Sequence, residues 1–416
     1  MAAADAQLLW LSGTVPNDQF LLYAFDGTPD DVDAAIACVR SNVQSCPELS
    51  LRAVDDSRWR YPRWEPVGPA DEQCVVYDGT GLDWQDCLDR VGRLVQLDSG
   101  RMAWRVHIWP QVLGIPTPVL GSPVAGSVVV VQISHALGDG VRSAALAAAL
   151  LGRRPSAPAV GRPDRGVLLW RAAVAARAHR RLVRETDTGL VDPPGRPRPI
   201  LDINTGPRQE AAVRTMVLDR SRLPGPTVTV GALVAVAGAL GGYLADRGQD
   251  IGRLGAEVPM ATGAALHAHN NFRSVSVDLF PELDPLSRAE RISAQLAAHR
   301  RRGAHPALRA SAAAFASVPA PLLRWGVGRF DADARPAHVS GHTVVSSVNR
   351  GPADLRFGGN RVLMTAGFPA LSPMMGLTHG VHGIGDTVAI SVRADPSIID
   401  VDHYLDRLIG VIDGLR

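Results

Sequence analysis

The residues whose types and spacing point most directly to chemistry are His135-Ala-Leu-Gly-Asp-Gly140. An imidazole has an unperturbed pKa near 6.5, so His135 can be neutral at pH 7 and accept a proton from an attacking hydroxyl, a service typically worth about 10² to 10⁴ in rate. An isolated histidine after a strand is more often a core residue bonded to backbone. Here the HxxxDG spacing favours the base: Gly138 and Gly140 permit a tight turn, and Asp139, four residues on, reads as a structural anchor held by an arginine rather than as a catalytic acid.

The elements that must hold this turn are legible on both sides. Ser127 to Ser134, SVVVVQIS, is a β-branched run after Gly/Pro turn signals and predicts a buried strand. VRSAALAAALLG predicts an alanine-rich helix stopped by Gly152. Along that strand Ser134 faces away from His135, and there is no GxSxG nucleophile elbow. Before it, Phe20 to Phe25 predicts a strand, PDDVDAAIACVRSNVQSCP a helix capped near Thr28 or Asp30, and Trp104 to Val112 a strand ending at Pro110.

From Arg153 to residue 207, proline-rich passages flank an Arg-rich helical stretch between Trp170 and Glu185, which reads as a crossover. Its Arg171, Arg177, Arg180, Arg181 and Arg184 suit either an anionic membrane surface or an ordinary solvated helix face. Further on come the strand-like AAVRTMVLD, a long small-residue helix in TVTVGALVAVAGALGGYLADRG, the strands HTVVSSVN, RVLMTAGF and DTVAISVRAD, and the amphipathic helix VDHYLDRLIGVIDGL. The pattern is α+β rather than a regular βαβ array. It divides into a first lobe over 1–160, a linker over 161–207 and a second lobe over 208–416.

Composition narrows the function classes. Charged residues at 20% and hydrophobic residues at 46% describe a chain that folds by burial, and a net charge of +2 leaves no footprint for nucleic acid. All 43 basic residues are arginine, which excludes mechanisms that need a lysine: Schiff bases, P-loop phosphate binding, pyridoxal phosphate anchoring. Cys38, Cys46, Cys74 and Cys87 lack CxxC spacing and read as reduced thiols. The opening residues lack the charged start and apolar run of a signal peptide, and no run of 18 apolar residues follows, so the expected location is cytoplasmic. His379-Gly-Val-His382 and His267-Ala-His269 lack a completing cysteine or carboxylate, so no metal is expected. Trp10, Trp104 and Trp170 fit either a lipid tunnel or aromatic packing.

VVVVQISHALGDGVRSAALAAALL resembles the active-site region of the condensation-domain-like acyltransferases, in particular the bacterial wax ester synthase/diacylglycerol acyltransferase family. That family usually carries HHxxxDG; here the first histidine is Ser134. LDSGRMAWRVHIW, ILDINTGPRQEAAV, AVAGALGGYL, HNNFRSVSVDLF, VVSSVNRGPADLRFGGNRV and LSPMMGL resemble successive parts of the same family over nearly the whole chain. Thr229-Val230 stands where the family has an Asn-Asp pair, EVPMATG replaces its usual strand after the long helix, and Asn270-Asn271-Phe272-Arg273 represents its GNR.

The resemblance implies two chloramphenicol-acetyltransferase-like lobes forming a pseudo-dimer, with a central tunnel and His135 near its midpoint. His135 would deprotonate a hydroxyl that attacks an acyl-CoA thioester directly, with Asn270, Asn271, Ser347 and Asn349 as candidates to position substrate or the oxyanion. Acyl-CoA is then a co-substrate; no metal or redox cofactor is implied. The acceptor is a long-chain alcohol or diacylglycerol, with peripheral attachment to a membrane or lipid droplet. The alternatives are a tailoring enzyme with a non-lipid acceptor or an acyl carrier protein as donor, and a non-catalytic scaffold that binds lipid or carrier.

Overall fold

The computed structural model describes residues 1–118, 122–154, 157, 159–163, 165–206, 211–262 and 267–415. The expected start of the second lobe at residue 208 lies outside them. The first part of the chain carries α1 (Ala3–Leu11), β1 (Gln19–Asp26), α2 (Val32–Val43), β2 (Leu51–Val54), β3 (Arg63–Pro66), β4 (Cys74–Val76), α3 (Trp84–Gly92), β5 (Trp104–Ile115), β6 (Val124–Ile133) and α4 (Gly140–Leu150). The crossover holds α5 (Leu168–Asp187) and β7 (Arg198–Pro199). The rest carries β8 (Ala212–Asp219), α6 (Val228–Ala245), β9 (Gly255–Ala261), β10 (Phe272–Asp278), α7 (Pro285–Gly303), α8 (Pro306–Phe315), α9 (Ala320–Val327), β11 (His338–Val339), β12 (Thr343–Asn349), β13 (Arg356–Phe357), β14 (Asn360–Gly367), β15 (Leu377–Ile384), β16 (Thr387–Ala394) and α10 (Val401–Asp413).

Two six-stranded mixed sheets organise these elements into two α+β lobes. The first runs β13-β14-β1-β6-β5-β4 and the second β10-β9-β12-β15-β16-β8. Strand β6 sits between β1 and β5, which explains its unbroken apolar run: Val128 to Val131 and Ile133 are buried, with cores on both faces of the sheet. In the second lobe α6 lies in the core against the sheet, α7 and α10, with small residues that allow close packing; Val411 Cγ1 would stand 3.0 Å from a Cβ at Gly238.

Three local expectations change. Strand β5 continues through Pro110 to Ile115, because the register shifts between Trp109 and Val112 and a bulge accommodates the missing N–H. The cap of α2 is Asp31, whose carboxylate accepts from the Ala34 amide at 2.8 Å. RVLMTAGF belongs by sequence position to the second lobe, but as β14 it pairs antiparallel with β1, Leu21 opposite Gly367 and Tyr23 opposite Thr365. The late part of the chain thereby completes the first sheet and ties the lobes together.

Candidate active site

His135 opens a 3-10 turn (His135–Leu137) at the end of β6. The buried hydroxyl of Ser134 accepts from Ser99 Oγ at 2.8 Å. Asp139 then caps α4, its Oδ1 accepting from the Arg142 amide at 3.0 Å while Oδ2 accepts from the Asn271 amide at 2.9 Å. The expected arginine anchor is therefore the backbone of Arg142; its guanidinium pairs with Glu48 at 2.6 Å. Gly138 is extended (φ 177°), so its role is close approach: an added Cβ would lie 3.0 Å from the Arg142 side chain. At Gly140 a Cβ would meet Val348 Cγ2 at 3.1 Å.

The second lobe fixes the histidine. Asn270 donates from Nδ2 to the His135 carbonyl at 2.8 Å and to Asp5 Oδ1 at 3.0 Å, so its Oδ1 accepts from His135 Nδ1 at 3.0 Å. The reversed amide would face its oxygen to two acceptors, so the network sets the orientation. With Nδ1 carrying the proton, Nε2 keeps its lone pair, and it has no hydrogen-bond partner among the described residues. Burial lowers the His135 pKa from its ordinary value, and this outweighs the opposite pull of Asn270, Asp139 and Asp5. The ring is neutral at pH 7, with Phe272 packed against it at 5.5 Å between centroids.

Asp5 is the residue that the motif reading misses. It is fully buried on α1 and accepts from the amides of His269 and Asn270 at 3.0 Å each, from Asn270 Nδ2, and from His269 Nδ1 at 3.2 Å. A buried carboxylate at position 5 serving residues 269 and 270 has no local sequence signal; only the fold brings them together.

Two cavities meet beside this constellation. One, of about 390 Å³, is lined by His135, Gln19, Phe272 and Ser347 among others; the second, of about 430 Å³, takes in Asn271, Asn349 and Arg153. Asp139, Val141, Ala261 and Arg350 line both. The walls come from both sheets, which places His135 between the lobes.

The four positioning candidates separate. Ser347 lines the His135 cavity, its oxygen accepting from Thr229 Oγ1 at 3.0 Å, which leaves its own proton free to donate. Asn270 has both amide hydrogens committed and so orients His135 instead of meeting an oxyanion. Asn271 donates from Nδ2 to the Ala268 carbonyl at 2.7 Å and faces the second cavity. Asn349 is exposed and accepts from the Gly351 amide at 2.9 Å, a turn residue bonding its own backbone.

Of the remaining candidates, His382 lines the first cavity and His269 the second, while Trp10, Trp104, Trp170, His267 and His379 fall outside both. Trp104 is a core residue donating to the Leu49 carbonyl at 2.7 Å, Trp10 stacks on Tyr61, and Trp170 is 71% exposed. Helix α5 packs through Leu182 and bonds α8 and the residues after it, while Arg177, Arg180 and Arg184 face solvent. His267 Nδ1 donates to the Arg162 carbonyl at 3.1 Å, and His379 is held within the second core. Among the described residues no three His, Cys, Asp or Glu side chains gather as metal ligands, and all four cysteines are free thiols.

Two mixed sheets with a motif histidine at their junction give a two-lobed α+β fold like that of condensation domains. Residues 269–415 match the WS/DGAT C-terminal domain model. The wax ester synthase/diacylglycerol acyltransferase from Marinobacter aquaeolei VT8 superposes with a TM-score of 0.61 at 18% identity, over 99% of this chain and 97% of its own. The starter condensation domain of rhizomide synthetase RzmA, in complex with C8-CoA and Leu-SNAC, superposes with a TM-score of 0.59 at 14% identity, over 99% and 92%. No curated protein sequence matches the chain.

Proposed function

We propose that the protein is a CoA-dependent O-acyltransferase in which His135 is the general base. The observation that carries this reading is the imidazole itself: Nδ1 is tied to Asn270, and the unprotonated Nε2 borders a cavity between the lobes. Nε2 takes the proton of an acceptor hydroxyl as its oxygen attacks the thioester carbonyl. The tetrahedral intermediate collapses by breaking the carbon–sulfur bond, and the CoA thiolate recovers the proton from the imidazolium. The products are an ester and free CoA, and no acyl-enzyme is needed.

The developing oxyanion needs donors. Ser347 supplies a hydroxyl with its lone pair engaged by Thr229. The amides of Gly140 and Val141 open α4 beside the same cavity and have no acceptor among the described residues, so they add the partial positive charge of a helix N-terminus. Gly138, Asp139 and Gly140 shape that turn.

Between a long-chain alcohol or diacylglycerol and a non-lipid acceptor, the cavity favours the second. Beside His135 it is small, about 390 Å³, and Asp18, Gln19, Ser346 and Arg350 share its wall with apolar side chains such as Phe20 and Phe368. A long lipid acceptor would call for an extended apolar channel.

The test is release of CoA thiol by the purified protein, with acyl-CoA donors of several lengths and with long-chain, diacylglycerol and polar hydroxyl acceptors. Acceptor-dependent release should fall by about 10² to 10⁴ in His135→Ala while the variant keeps its melting transition. Release that is undiminished in that variant overturns the assignment of the base.

A further inference from the structure

Arg350 follows β12 and turns its guanidinium inward, where the residue is only 5% exposed. Nη1 donates to the carbonyls of Ala366 at 2.8 Å and Leu22 at 3.3 Å and to the Thr365 hydroxyl, and the group lies 5.3 Å from the Tyr23 ring centroid. Every one of these partners is neutral. Among the described residues no carboxylate pairs with Arg350, Nε is buried without an acceptor, and no acceptor bonds Nη2. A cation taken out of water without a counterion costs several kcal/mol, and guanidinium does not shed its proton to escape that cost.

The unpaired end points to a built recess. Gly367 lines the His135 cavity, and a Cβ there would fall 2.6 Å from Arg350 Nη2 and 2.8 Å from His382 Nε2. The bare glycine thus leaves both nitrogens facing one space. His382 is 6% exposed and its Nδ1 is a second buried polar atom without a partner. Burial and the neighbouring guanidinium hold the His382 ring well below its ordinary pKa, so it stays neutral and offers one N–H. The nearby acids are committed elsewhere: Asp18 accepts from the Leu97 amide and from Gln96 and Gln132, and Asp139 caps α4.

We propose that Arg350 and His382, across Gly367, bind a carboxylate carried by one of the two substrates. Planar guanidinium and imidazole donors match the two oxygens of a carboxylate. One unpaired positive charge matches one negative charge; a phosphate monoester would leave excess charge buried. Because Arg350 lines both cavities, the carboxylate can belong to the acceptor or to the acyl group, and its anchoring would orient the reacting end towards His135. This rests on the acyltransferase reading for what the group does, though not for whether it binds.

The experiment compares matched pairs. With butyryl-CoA as donor, 6-hydroxyhexanoate is set against its methyl ester and against 6-hydroxyhexyl phosphate; with hexanol as acceptor, succinyl-CoA is set against butyryl-CoA. In one arm the carboxylate should be preferred by about tenfold or more in kcat/KM, the scale of a hydrogen bond to a charged group, and in Arg350→Gln that ratio should collapse to about one. His382→Leu keeps the charge and removes one donor, so it should lower the ratio by several-fold, and it serves if Arg350→Gln does not fold. Calorimetric titration of 6-hydroxyhexanoate and of succinate into His135→Ala, with and without His382→Leu, reads binding apart from turnover. Binding that weakens with the second substitution, without turnover of any pair by the native protein, supports the carboxylate site and fells the acyltransferase reading. Turnover with no carboxylate preference, a preference unmoved by both substitutions, a preference for phosphate, or neither turnover nor binding of either carboxylate overturns the site.

Discussion

The two lobes each place a histidine on an inner strand or at its end, with opposite outcomes. His379 lies within β15, fully buried, with Nδ1 bonded to Thr343 Oγ1 at 2.9 Å and Nε2 to the Tyr404 hydroxyl at 2.8 Å. His135 stands just past the end of β6, with Nδ1 bonded and Nε2 open to a cavity. Burial lowers both pKa values, that of His379 to about 3. A depressed pKa is therefore shared by a structural imidazole and a catalytic candidate. What separates them is whether one nitrogen is left without a protein partner, and that depends on where the strand stops.

The largest effect expected from this contrast is at Asp5. Asp5→Ala removes a buried acceptor from four donors on His269 and Asn270, a loss of about 3–5 kcal/mol on the scale of breaking a buried charged network. The surviving fold loses the lock on Asn270, so kcat should fall by about tenfold to a hundredfold through misplacement of His135. Thr343→Val, which removes one partner of His379, should cost about 1–2 kcal/mol and leave kcat within twofold. Urea denaturation with parallel thiol-release kinetics checks both. Equal kinetic losses at the two sites would break the contrast.

Much of the strand, turn and helix around His135 is legible in sequence because its signals are local: a β-branched run, glycines at close contacts, an aspartate cap. Ser134 and Asp139 follow from the same few residues. Asp5 and Asn270 in its actual role are not legible, because each acquires its partners across sequence separations of more than a hundred residues, and Arg350 is not, because the strand pairing of β14 with β1 assembles its partners. The same holds for β14, whose apolar alternation predicts a strand but carries no information that β1 is its neighbour. Long-range register is decided by which edge is left unpaired once the local units have formed.

Acid pH tests the buried histidines as a group. His107 and His342 are pushed down to about 4 and His379 to about 3, against about 6.5 in the unfolded chain. The unfolded state binds more protons as pH falls below 6.5, so the stability from these neutral rings is fully present above that value. It is lost towards pH 4 at up to about 1.4 kcal/mol per pH unit for each ring. Asp18, raised to about 6 by burial, has the opposite sign: below pH 6 its folded form binds the proton more readily and offsets part of the loss. The urea midpoint should fall from pH 7 to pH 5, and His379→Leu should flatten that fall. The kcat/KM profile should stay level down to pH 6.5 and decline only below it, since burial lowers the His135 pKa. A decline beginning above pH 7 would show that His135 is not held neutral as the network requires.

The smallest effect is expected at Asn349. Its side chain caps the Gly351 amide, but the same turn is held by Arg350 N to the Gly383 carbonyl at 2.8 Å, Gly385 N to the Gly351 carbonyl at 2.9 Å, and Arg153 to the carbonyls of Arg350 and Pro352. One exposed hydrogen bond among five should be worth about 0.5–1 kcal/mol or less, so Asn349→Ala should shift the melting temperature by a few degrees at most and leave kcat/KM within twofold. If kcat/KM falls tenfold with an unchanged melting temperature, Asn349 donates to the reacting group. The asparagine beside Arg350 would then belong with His135 among the residues that keep a polar atom free for substrate, and the line drawn between bonded and open side chains would have to move.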